Sequence, residues 1–177
     1  METDPSKIKK MAVKKESENW EFRSFLKRCD LPSKEIDSIV HRLYRKIASK
    51  IDCKTCANCC KEVQPTLDSE DIEKFSKGLG ISIDLFKNKY LIKDNESQEY
   101  IFNQKPCPFL KAKLCSCYTY RPKDCISYPH LHKTDFTSRS INIIGNCSIC
   151  PIVFNVYECL KNEVWYDDDF EEFNDFY

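Results

Sequence analysis

Cys53-Lys54-Thr55-Cys56-Ala57-Asn58-Cys59-Cys60 places four thiols in eight residues. No helix or strand has a buried face with that periodicity, so packing does not account for the run. Two-residue spacers let a loop fold until its thiolates converge on one centre, as in zinc sites and ferredoxin loops. The adjacent pair adds a constraint, because neighbouring side chains diverge. Either Cys59 and Cys60 serve two nearby ions, or one of them supports a ligand without being one.

Outward from this run, further cysteines follow on separate stretches: Cys107, Cys115, Cys117, Cys125, Cys147 and Cys150. That scatter is expected when distant loops close onto a nucleus formed by the first motif. Cys150 directly precedes Pro151, which predicts a helix N-cap, where the macrodipole and open N–H groups favour a thiolate. Basic loop residues, Lys54, Lys61 and Arg121 among them, would offset excess thiolate charge. Cys29 and Cys159 sit on or beside apolar helix faces and read as small packed hydrophobes. His41 falls on a polar helix face. His130 and His132 follow Tyr128-Pro129 and read as a hydrated turn in preference to nitrogen ligands.

Twelve cysteines in 177 residues is about 7%, well above ordinary usage. The first nineteen residues contain no apolar run of signal-peptide length, and no later stretch is apolar enough to span a bilayer. The expected compartment is therefore the cytoplasm, where thiols stay reduced and clustered cysteines serve as metal ligands. A disulfide-stapled exported protein is the competing reading. With 28 basic and 28 acidic residues the net charge is zero, which gives no field toward nucleic acid. A protein partner is the one kind left open; neither nucleic acid nor membrane is expected.

Periodicity predicts a mostly α fold with an irregular, loop-rich cysteine centre, small α+β at most. Residues 1–16, basic and without an apolar repeat, read as a disordered arm. Residues 17–165 read as a single cysteine-cluster domain, helical over 17–50, with the cluster region over 50–162. Helices are expected at 17–29, at 33–50 (stripe Ile36, Val40, Leu43, Ile47), near 68–79, at 81–92, and from Pro151 to about Trp165. The two N-terminal helices each have one apolar stripe, so they should pack on each other and on the last helix. Between Tyr100 and Asn146 prolines interrupt every pattern, leaving loops and two strand candidates, Tyr100–Phe102 and Ser140–Ile144. Residues 166–177 are an acidic tail.

The ordered string Cys53-x2-Cys56-x2-Cys59-Cys60, then Cys107-Pro-Phe-Leu110, Cys115-x2-Tyr118, Arg121-Pro-x2-Cys125 and Tyr128-Pro129 resembles the YkgJ-type cysteine-cluster family (CxxCxxCC, zinc- or iron-chelating). The resemblance spans about residues 50–162. It implies metal ligands at Cys53, Cys56, Cys59, Cys60, Cys107, Cys115 and Cys125, with one late cysteine, for which Cys150 is preferred over Cys147. Cys117 stands where the family usually has an aliphatic residue. The implied cofactor is zinc or iron, including an iron–sulfur cluster, in a structural or redox role. Flagellin lysine-N-methylases resemble this cluster too, but this chain is short and holds only three glycines. The alternative is an enzyme or enzyme subunit, an oxidoreductase or protein-lysine-methylase-like, acting at the cluster. Tyr118, Arg121 and His130 would be the first residues to examine there. Catalytic residues are not legible, because no nucleophile–base pair or nucleotide loop is present.

Overall fold

The computed structural model describes residues 1–166 apart from Glu96. All of the expected acidic tail beyond Tyr166 lies outside the described residues. In chain order the helices begin with α1 (Pro5–Lys14), α2 (Glu16–Leu26), α3 (Ser33–Ala48), α4 (Cys53–Cys56) and α5 (Cys59–Glu62). They continue with α6 (Ser69–Leu79), α7 (Ile83–Tyr90), α8 (Lys123–Ser127), α9 (Ser140–Cys147) and α10 (Pro151–Val164). The strands are β1 (Thr66–Leu67), β2 (Leu91–Lys93), β3 (Tyr100–Phe102), β4 (Leu110–Lys111) and β5 (Leu114–Cys115). The fold is thus mostly α with two small sheets. Length alone suggests one domain, whereas the contacts cluster into two compact units. The first joins Met1–Asp52 with the described residues from Pro129 to Tyr166, and the second is Cys53–Tyr128.

The first unit is helical. The stripe of α3 is buried as its periodicity predicts, with Ile36, Val40, Leu43 and Ile47 all enclosed. Each such side chain contributes roughly 2 kcal/mol of hydrophobic stabilisation. Pro151 opens α10, which is enclosed on almost every face as far as Lys161. α10 packs on α1, α3 and α9. Its Tyr157 sets a ring edge against Phe22 of α2 at 5.2 Å and donates its hydroxyl to the Asn19 carbonyl at 3.2 Å.

Two expectations fail in this unit. Residues 1–16 are not a disordered arm, because α1 occupies most of them. Asp4 caps it by accepting from the N–H groups of Ser6 and Lys7, Pro5 presets the first turn, and Ile8 and Ala12 bury one short stripe. Ser140–Ile144 is not a strand but the start of α9. Ser140, Ile143, Ile144 and Cys147, at helical spacing, form its buried face, while Ile141 is exposed. Among the described residues no single helix is long and apolar enough to cross a membrane.

The second unit is built on an aromatic core. β3 lies between β1 and β2, antiparallel to both, pairing Leu67 with Tyr100 and Leu91 with Phe102. Asp68 caps α6 by accepting from the Asp71 N–H at 2.8 Å, and Gly80 ends it in the left-handed region at φ +67°. Phe75 of α6, Phe86 of α7, Phe102 of β3 and Phe109 then close on one another, with ring centroids 4.7–6.5 Å apart. Phe102 and Phe109 come from the stretch whose patterns prolines interrupt, so it is better supplied with core than its prolines suggest.

Candidate metal centre

Four elements of the second unit carry the cysteines. α4 holds Cys53 and Cys56; Ala57, buried and at φ +52°, then turns the chain into α5, which holds Cys59 and Cys60. The Cys60 carbonyl accepts the Cys107 N–H at 2.8 Å, which fastens the first motif to the loop before β4. Cys115 lies in β5, opposite Leu110 of β4, and the Ser116 N–H donates to the Phe109 carbonyl at 2.8 Å behind it. Cys125 lies in α8. That short helix is held at its start by Asp71, which accepts the Lys123 N–H at 3.0 Å, and Asp124 accepts the Thr66 N–H at 3.3 Å.

Cys60, Cys107, Cys115 and Cys125 are half-buried electrostatic neighbours. Burial pushes Cys107 up to about 11, and negative charge on Cys60 or Cys115 would raise it further. Burial also raises Cys115 and, much more strongly, Cys125, and charge on Cys60 adds to both. Cys60 differs. A hydrogen bond from Cys59 lowers it to about 7, against burial, and the positive charge of Arg121 helps. Of the two alternatives for the adjacent pair, this hydrogen bond fits the one in which Cys59 supports the Cys60 sulfur.

Arg121 belongs to the same neighbourhood. Its guanidinium stacks on the Tyr118 ring at 3.7 Å, its charge helps to lower Cys60 and opposes the rise of Cys115, and its buried Nε has no acceptor among the described residues. Mutual repulsion of four thiolates and an orphaned cationic N–H both fit a soft cation held by sulfur, which would fix the thiols in the charged form that Arg121 favours. Among the described residues, no three Cys, His, Asp or Glu side chains are already grouped closely enough to hold an ion.

The remaining sequence candidates separate. Cys53 is exposed and Cys56 half-buried on α4. Cys117 is buried in the aromatic core, taking the role of the aliphatic residue usual at that position. Cys147 and Cys150 are buried in the first unit, where Cys150 does stand at the N-cap of α10. His130 and His132 belong to that unit as well. Sequence reasoning missed the two carboxylates that seat α8. Asp71 was legible only as an acid in a first helical turn, and Asp124 carried no signal beyond its place before Cys125.

The sequence model of the CxxCxxCC family, described as a "Putative zinc- or iron-chelating domain", matches residues 52–143, a little over half of the chain. The chain belongs to the CxxCxxCC family. The matched span contains all eight cysteines of the second unit and ends before Cys147 and Cys150, short of the 50–162 that the resemblance suggests. No match was found among the curated proteins. None was found among the solved structures. For a CxxCxxCC protein, metal binding is the function that membership supports.

Proposed function

We propose that the second unit is a thiolate metal centre for zinc or iron, with Cys60, Cys107, Cys115 and Cys125 as one four-sulfur set. Cys53, Cys56 and Cys59, on the adjoining turns, extend it. The observation that carries this reading is that those four half-buried thiols lie within electrostatic reach of one another, beside the Arg121 guanidinium, whose buried Nε has no acceptor among the described residues. Soft thiolate donors select zinc and iron. The four sulfurs come from four separate elements, α5, the loop before β4, β5 and α8, so an ion held by them would cross-link the unit. That favours a structural role, since a four-thiolate zinc site is closed. Iron in the same set would add electron transfer, and the reduced thiols it requires suit a cytoplasmic location.

The test is metal content by elemental analysis of the full chain and its variants, purified without oxygen. Cys107→Ser and Cys125→Ser should each lose most of the bound zinc or iron. Cys117→Ala should retain it and lose only packing, roughly 1–3 kcal/mol of stability. Full retention of metal by both serine variants would overturn the proposed set.

A further inference from the structure

We infer that residues 167–177, the acidic, aromatic end of the chain, bind back into a groove between α2 and Trp165. Phe170, Phe173 and Phe176 meet the aromatic floor of the groove, and the acids beside them meet Arg28. The groove belongs to the first unit, so this inference stands apart from the metal reading.

The groove has a volume of about 820 Å³, and its lining includes Trp20, Glu21, Phe25, Arg28, Cys29 and Trp165. Trp20 is 40% exposed, and Phe25 and Trp165 are only half-buried. Large aromatic side chains gathered at an open surface mark a place where something binds. Trp165 stacks on Phe22 at 5.3 Å and on Phe25 at 6.2 Å, which makes the floor a fixed aromatic layer. Positive charge stands at its side. Arg28 donates its Nε to the Ser24 carbonyl at 3.1 Å and forms no ion pair among the described residues. Arg23 lies over the Trp20 ring at 5.6 Å, and its buried Nε has no acceptor among the described residues.

The described chain ends at this groove. Tyr166 stacks on Trp165 at 5.3 Å and donates its hydroxyl to Glu18 at 3.0 Å, so residues 167–177 start from the groove's edge. A chain advances at most about 3.6 Å per residue, which keeps Phe170 within roughly 14 Å of Tyr166. Between and around its phenylalanines the tail carries Asp167, Asp168, Asp169, Glu171, Glu172 and Asp175, and no base. That composition complements an aromatic floor flanked by arginines. Glu21, two helical turns before Arg28, accepts from the Ser17 hydroxyl at 3.1 Å and would repel acids, so the acids belong at the Arg28 end. A tethered segment meets its site at high effective concentration, so contacts too weak to hold a free peptide suffice.

The chain has two tryptophans, Trp20 and Trp165, and both line the groove, so tryptophan fluorescence reads the groove directly. The experiment measures acrylamide quenching of the full chain for the parent, for the triple variant Phe170→Ser, Phe173→Ser, Phe176→Ser, and for Arg28→Glu. Circular dichroism on each variant reports whether the fold persists. The inference predicts quenching about twofold stronger or more in the triple variant, with its emission shifted to the red, and an intermediate increase in Arg28→Glu. A synthetic peptide of residues 167–177, added in excess to the triple variant, should restore the parent's protection. Equal quenching in the parent and the triple variant would overturn the inference. Parent-like quenching in Arg28→Glu would overturn the charge pairing on which it rests. Should either variant fail to fold, quenching of the parent over a range of chain concentrations decides. Protection independent of concentration supports the tail, whereas protection that grows with concentration would assign the groove to a second copy and overturn it.

Discussion

Gly78 and Cys117 show how single residues set the second unit. A Cβ on Gly78 would lie 2.3 Å from Cγ of Tyr120, so the ring rests directly on the α6 backbone. Because the clash is at the base of the ring, Tyr120 would have to leave its site whole. Gly78→Ala should therefore destabilise the unit by about 1–3 kcal/mol despite alanine's better helix propensity. Chemical denaturation monitored by near-ultraviolet circular dichroism would record this, and a stabilised variant would contradict the packing. Cys117 was legible as an odd thiol but not as a core residue. In a cluster of eight cysteines composition cannot separate a ligand from a small hydrophobe, and only its place among Phe75, Phe102 and Phe109 does so. The sequence leaves open whether Cys59 and Cys60 serve two ions or one supports the other, and the hydrogen bond between the two side chains fits the second alternative.

At the scale of elements, the helices with a full apolar stripe were legible and those with a mixed stripe were not. α3 repeats Ile36, Val40, Leu43 and Ile47 over three turns, which no strand pattern matches. α9 buries Ser140 and Cys147 along with two isoleucines, so only half of its inner face is aliphatic. Ile141 and Ile143 then imitate the alternation of a strand. α1 is not legible in the sequence, because two buried positions, Ile8 and Ala12, are too few to rise above a run of lysines. α8 carries Cys125 of the proposed thiolate set, and five residues cannot hold a helix without help. Asp71 provides it, 4% exposed and accepting the Lys123 N–H. Asp71→Ala should lower stability by about 1–3 kcal/mol and release Cys125 from its place. Cysteine alkylation rates followed by mass spectrometry would detect this as faster labelling at Cys125 than in the parent. An unchanged rate would show that α8 is held by other means.

For the molecule as a whole, two kinds of linkage set the conditions under which each unit persists. In the first unit, Lys161 is fully buried and donates to both Glu18 and Glu158 at 2.7 Å, while Lys15 pairs with Glu158 as well. Burial alone would raise the Glu18 carboxyl, but hydrogen bonds from Lys161 and Tyr166 and the charges of Lys161 and Lys15 outweigh it. Its pKa stands below the ordinary 4.5. A carboxyl lowered by folding contributes stability that is present above the unfolded value and is lost as pH falls through the folded one. Burial would likewise lower Lys15, yet Glu158 and Glu18 hold it above 10.5, so its contribution persists below that value and is lost as pH rises past the folded one. The melting temperature of this unit should therefore be flat between these limits and fall in acid below about pH 4.5, and Glu18→Gln should flatten the acid limb. A parent profile without an acid limb would contradict the network.

In the second unit the proposed linkage is to metal, and binding free energy becomes folding free energy where ligands come from separate elements. The most direct test is elemental analysis of the full chain purified without oxygen, paired with titration of its twelve thiols before and after a strong chelator. The account predicts about one zinc or iron ion per chain at the least, with several thiols unreactive until the chelator removes it. A metal-free protein, colourless and with the same number of reactive thiols whether or not chelator is added, would contradict it.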